Sequence, residues 1–215
     1  MSGPNNGRLV LLLIAGIPVT MILAATWLWL FVARGDLDIV GLLGTANRGE
    51  LVQPPRPLAE VTLRDRAGVA LPFEQLEPRW TLLVPGGATC GEDCEQLLYL
   101  TRQIHVAIGK DFNRLRRAHA GTADPGRTRL AVDALSDDSP VPESFGALLE
   151  GEHRGLLALH LQAADFDRLF PEWRADRSTW YLVDPRGWVM MAYNSEIPYK
   201  DVISDLKFLL KNSGT

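Results

Sequence analysis

A chain of 215 residues is one globular domain with length to spare, and 22 basic residues against 26 acidic ones leave it a net charge of -4. That balance gives no phosphate-tracking field, which excludes a general nucleic-acid binder.

Residues 1–8 form a short tail. From Leu9 to Ala33 no residue is charged, and at about 1.5 Å rise per residue this stretch could cross a hydrocarbon core of about 30 Å, so it is expected to be a transmembrane helix. Pro18 is tolerable in a bilayer helix, and Trp27 and Trp29 fall near its far end, where indole rings favour the interface. A cleaved signal peptide would have an apolar core of about 7 to 15 residues before a small-residue site, whereas this run continues past Ala24-Ala25. Arg8 precedes the helix and Arg34, Asp36 and Asp38 follow it, which places the N-terminus inside. The expected location is therefore the inner (cytoplasmic) membrane, single-pass, with the C-terminal domain on the periplasmic side, where disulfides persist.

Residues 34–57, rich in Gly, Pro and Asn towards their end, read as a tether, and the folded domain is expected over 58–213. Residues 60–64 and 69–73 suggest two short strands around an Asp65-Arg66-Ala67-Gly68 turn. Trp80–Val84 is an apolar run closed by Pro85-Gly86-Gly87, which suits a strand buried on both faces. Cys94, Leu97, Leu98, Thr101, Ile104 and Ile108 recur at three- and four-residue steps, a helix with Gly109 as its stop. Residues 110–127 fit a continued helix or an edge strand, ending in a turn. Arg114, Arg116 and Arg117 read as a solvated basic face. Thr128–Ala134 suggests a strand, Phe145–Leu149 a short helix, Leu156–Leu161 a strand and Ala163–Phe170 an amphipathic helix. Thr179–Val183 turns at Asp184-Pro185-Arg186-Gly187 into Trp188–Tyr193, a hairpin, and Tyr199–Leu210 is a closing helix. Strand, helix, strand, hairpin and final helix make an α/β sandwich.

The only two cysteines, Cys90 and Cys94, sit at the start of the central helix. Thr89 and Glu92 have capping-box spacing, which would put Cys90 in the first helical position, its thiolate favoured by the helix dipole, and Cys94 one turn on at disulfide distance. A structural staple closing three intervening residues would remove little unfolded-state entropy. Buried inert thiols are the other bland reading; a reactive couple is preferred. Zinc lacks a second pair of sulfurs, whereas two thiolates suit Cu(I), with a distant third ligand. His105 is too far along the helix, His119 and His153 read as surface residues, and His160 is the histidine to test as that ligand.

Strand, Gly-rich turn, Cys-x-x-x-Cys at a helix start, the YLVDPRG hairpin and the final DVISDLKFLLKNS helix resemble the thioredoxin-like Sco/SenC family, over roughly residues 55–212. The resemblance implies a thioredoxin-like sandwich, a membrane anchor and a part in assembling the copper centre of cytochrome c oxidase. It implies copper on Cys90 and Cys94 with a histidine before the hairpin, where this chain has Arg177, which cannot ligate a metal. Glu95 replaces the proline that follows the second cysteine in that family. Arg177 is also reminiscent of the arginine that faces the reactive thiolate in peroxiredoxins, although the hydroxyl expected upstream in those sites is missing. The site residues are then Cys90 as attacking thiolate, Cys94 as resolving thiol and Arg177 as electrostatic stabiliser. The activity is thiol-disulfide exchange or transient Cu(I) handling, and the partner a cytochrome oxidase subunit or another assembly factor. A non-enzymatic membrane scaffold with a vestigial cysteine pair is the alternative.

Overall fold

The structure, a computed structural model, describes residues 6–33 and 47–213. The chain divides into two units, residues 1–46 and 47–215.

The first unit contains helix α1, Asn6–Ala33, 28 residues long with Pro18 inside it. Leu11, Leu12, Ile14, Met21 and Leu23 expose their side chains. Its side chains are described without a break over 11–27, and among the described residues no helix is long and apolar enough to cross a membrane.

The second unit is built on a six-stranded mixed sheet. Its strands are β1 (Glu50–Pro57), β2 (Trp80–Gly86), β4 (Leu115–Gly121), β6 (Leu157–His160), β7 (Trp180–Val183) and β8 (Trp188–Tyr193), in the order β1-β8-β7-β2-β4-β6. β2, β4 and β6 run parallel, while β7 and β8 run antiparallel to their neighbours. A two-residue pair, β3 (Thr89–Cys90) with β5 (Arg129–Leu130), forms a second, parallel ladder. The helices are α2 (Glu92–Ala107), α3 (Phe145–Gly151), α4 (Ala163–Leu169), α5 (Pro171–Ala175) and α6 (Tyr199–Asn212).

Strand alternation divides the core into two apolar layers. Trp80, Leu82, Val84, Trp180 and Leu182 meet α2, α3 and α6 on one face. Leu83, Tyr181 and Val183 meet Phe166, Leu169 and Phe170 on the other. β2 is buried at every position, as its unbroken apolar run requires.

Several expectations change. The tether expected over 34–57 gives way at Glu50 to β1, which pairs with β8 and buries Val52; two consecutive prolines are accepted because this is the sheet edge. Residues 34–46 lie outside the described residues. The 60–64 and 69–73 strands shrink to a bridge from Arg64 to Ala70, although the turn between them forms, with Asp65 Oδ1 accepting from the Ala67 and Val69 N–H groups. Residues 109–114 form a 3₁₀ segment, and 115–121 become β4, an interior strand and not an edge. Thr128–Ala134 supplies only two strand residues.

The arginine cluster is not a solvated face. Arg117 is 5% exposed, Arg114 donates to the Leu210 and Ser213 carbonyls, and Arg116 donates to the Glu77 carbonyl. His119 and His153 are likewise 0% and 2% exposed, not surface residues. Strand alternation explains this: Arg117 and His119 fall on the α2 side of an interior strand.

Candidate functional site around the Cys90–Cys94 disulfide

β2 ends at Gly86, and the chain turns through Gly87 and Ala88 into β3. There Cys90 pairs with Leu130, and its carbonyl accepts from the Ala131 N–H at 2.9 Å. The expected capping box is absent: α2 starts at Glu92, Gly91 is its N-cap, and no side chain caps it. The β3–β5 ladder holds Thr89 and Cys90 extended, so the helix begins two residues beyond Cys90. Gly91 takes the N-cap position in extended backbone, where a Cβ would make only ordinary contact with the Ala131 carbonyl.

Cys94 is the third residue of α2, and the two sulfurs form a disulfide with a Cα separation of 5.2 Å. Burial distinguishes them. Cys90 is 1% exposed, whereas Cys94 is half-buried and lines a cleft of about 210 Å³ with Gly87, Thr89, Asp93, Trp173 and Arg177. The helix start favours a thiolate, and Glu92 and Asp93 in the same first turn oppose it.

Arg177 is therefore brought to the sulfurs' cleft. Its guanidinium lies 3.7 Å over the Trp173 ring, and among the described residues it has no ion pair or hydrogen bond. Arg174, its neighbour in the same segment, is instead paired with Asp167 at 2.5 Å. Trp173 was not legible as a site residue; its place depends on α5, whose Trp173 N–H donates to the Tyr181 hydroxyl. That hydroxyl donates in turn to Glu172, which also takes Arg56 of β1.

Glu95 is buried, and its carboxylate accepts from the Ser136 N–H and hydroxyl. With the Arg102–Asp137 ion pair at 2.7 Å, it fastens the 133–139 loop to α2.

A column of polar groups lies behind the site. Arg117 donates to the Leu98 carbonyl and to His153 Nδ1 at 3.4 Å. Burial, with the Arg117 and Arg102 charges, pushes His153 down to about 3, so it accepts as a neutral ring. His119 packs on Phe145, and neither of its ring nitrogens has a partner. Burial pushes it down to about 4. Its ring fills the space that Cβ atoms at Gly86 and Gly121 would take, which turns it towards the strand ends that carry the cysteine loop.

These residues do not fit a three-ligand copper site. Among the described residues no three His, Cys, Asp or Glu side chains could hold a metal. His105 stacks on Phe112, and His160 is bridged through its backbone to Arg64 and does not line the sulfurs' cleft. The arrangement is a disulfide whose half-buried Cys94 lines a cleft, which suits it chemically to thiol-disulfide exchange.

A family model described as transmembrane-like, thioredoxin-like, C-terminal domain matches residues 80–213. Among solved structures, yeast Sco1 with copper bound is similar over 80% of this chain and 97% of that one, at 17% identity and a TM-score of 0.53. A second structure of yeast Sco1 covers 76% and 99% at 16% identity and a TM-score of 0.54. Copper-bound ScoI of Arabidopsis thaliana covers 73% and 98% at 14% identity and a TM-score of 0.50. At these identities the likeness is one of fold, and it agrees with the thioredoxin-like sandwich expected from the sequence. No curated protein matches the chain.

Proposed function

We propose, from the premise that the chain belongs to the transmembrane-like, thioredoxin-like C-terminal domain family, that it is a membrane-tethered thiol-disulfide exchange protein serving cytochrome c oxidase assembly. The observation that carries the reading is the Cys90–Cys94 disulfide with one sulfur buried and the other in an open cleft. The assembly context comes from the sequence resemblance to the Sco/SenC family, and the fold shared with yeast Sco1 agrees with it.

On this reading the roles are opposite to those expected from the sequence, because Cys90 is buried and Cys94 lines the cleft. A partner thiolate attacks Cys94 Sγ, the Cys90–Cys94 bond breaks, and Cys90 leaves as a thiolate. A second partner thiolate then attacks the partner's sulfur in the mixed disulfide and releases Cys94, so the partner is oxidised as the pair is reduced. Arg177 stabilises the anion that develops at this mouth.

Copper is the alternative cargo, on the reduced pair. It is weighed by titrating the full chain in detergent with Cu(I) under a competing chelator, wild type and Cys90→Ser, beside the reduction potential of the pair. Weak or no copper binding with a potential near cellular thiol couples supports exchange. Tight binding lost in Cys90→Ser replaces exchange with delivery, and a pair that neither binds copper nor cycles sinks both, leaving a scaffold.

The anchor belongs to the same proposal. Its support is the sequence: the uncharged run from Leu9 to Ala33 would rise about 38 Å as a helix at about 1.5 Å per residue, enough for an inner-membrane span. Tags at each end, probed in spheroplasts stripped of the outer membrane, test the topology; a C-terminal tag that stays protected there rejects a periplasmic domain.

A further inference from the structure

Three clefts meet around the accessible sulfur. The Cys94 cleft shares Gly87, Trp173 and Arg177 with a second of about 470 Å³ that runs on past Phe166 and Arg174. It shares Asp93 with a third of about 610 Å³, lined by Leu97, Leu100, Ile197, Pro198 and Tyr199. The second and third have no lining residue in common, and the Cys94 cleft, which shares residues with each, joins them. Its two arms differ in character: one is mainly apolar, with Tyr199 51% exposed, and the other carries a guanidinium.

Building on the exchange reading, we infer that this trough takes an extended segment of a partner protein, its reactive cysteine over Cys94, apolar side chains on one flank and a carboxylate on the other, with Arg177 reading the carboxylate. Charge argues for that occupant. Arg174 is neutralised by Asp167, but Arg177 has no carboxylate of its own among the described residues. Trp173 covers one face of its guanidinium and leaves the N–H edge to an incoming anion. Asp93 borders the apolar arm and repels a carboxylate placed there, while Glu92 lines only the central cleft, so the acidic residue belongs beyond the centre, on the Arg177 side. A small thiol would occupy the central cleft alone and leave both arms unused.

The test uses full-length Cys90→Ser protein in detergent, whose Cys94 thiolate attacks the cysteine sulfur of a peptide activated as its thionitrobenzoate disulfide. The peptide–thionitrobenzoate bond breaks, the coloured thiolate leaves, and the peptide stays on Cys94. Each peptide has an apolar flank and an acidic flank, in both chain orders, with counterparts carrying lysine for the acid or serine for the apolar residues. A neutral activated small thiol reports basal reactivity. In the better chain order the acidic peptide reacts about fivefold faster than the lysine one, in keeping with one exposed ion pair. Arg177→Glu inverts that ratio, which cancels any change in Cys94 reactivity. Serine in the apolar flank slows the reaction by a similar factor. Equal rates for acid and lysine, a ratio unmoved by Arg177→Glu, or a small thiol as fast as the best peptide overturns the inference. So does a rate constant that falls as protein concentration rises, since a second copy would then fill the trough. No reaction even with the small reagent removes the exchange reading itself, whereas reaction without peptide preference removes only this inference.

Discussion

Gly86 and His119 share one small volume, and that sharing sets the local cost of change. A Cβ at Gly86 would press directly on His119 Nε2. Gly86→Ala is therefore expected to cost about 1 to 3 kcal/mol through overpacking. In a His119→Ala background the same substitution should cost far less, a coupling that a double-mutant cycle in denaturant reads directly. The histidines also give the fold a pH dependence. Burial lowers His119 to about 4, and burial with neighbouring arginine charge lowers His153 to about 3, so both bind their protons more weakly folded than unfolded. Their contribution is fully present above about pH 6.5 and is lost as pH falls through the folded values. Denaturant midpoints should fall by the equivalent of a few kcal/mol between pH 7 and pH 4, with a smaller drop in His119→Ala; an identical slope in that variant would exclude His119 as a source.

At the scale of elements, β1 makes a testable distinction. Asp205 of α6 accepts from the Arg48 and Gly49 N–H groups, and β1 covers the β8 edge. A chain starting at residue 47 should fold with the stability of the whole domain. One starting at 58 should lose roughly 3 kcal/mol or more, with Val52 burial and the edge ladder gone, by thermal or chemical unfolding. Elements with strong local patterns were legible in the sequence: β2 from its apolar run, the β7–β8 hairpin from its turn, and α2 and α6 from their stripes. Those whose burial is decided by distant partners were not. Prolines in β1 read as a tether because only pairing with β8 reveals an edge strand. His119 and Arg117 read as surface groups because charge outweighed alternation along Leu115–Gly121. Within the site, the cysteine pair stood out from its spacing, whereas Arg177 was reached only through the family resemblance, which expects a histidine at its position. The helix start was misjudged because Thr89 and Cys90 are claimed by β5, forty residues away in sequence. Trp173 carried no local signal at all.

Across the whole molecule, the disulfide contributes modestly to stability. The three-residue gap between its cysteines closes a short loop, for which the chain-entropy model gives roughly 2 kcal/mol. Reduction should lower the unfolding free energy by about that much and leave circular dichroism unchanged; unfolding on reduction would restore the staple reading rejected on sequence. The two sulfurs belong to one short segment, between a strand that β5 already holds and a helix that Glu95 and Arg102 already fasten. Opening the bond separates no layers of the sandwich. The protein can thus hold or give up two electrons without recording the event in its shape, and a partner learns the redox state only by touching the sulfur itself.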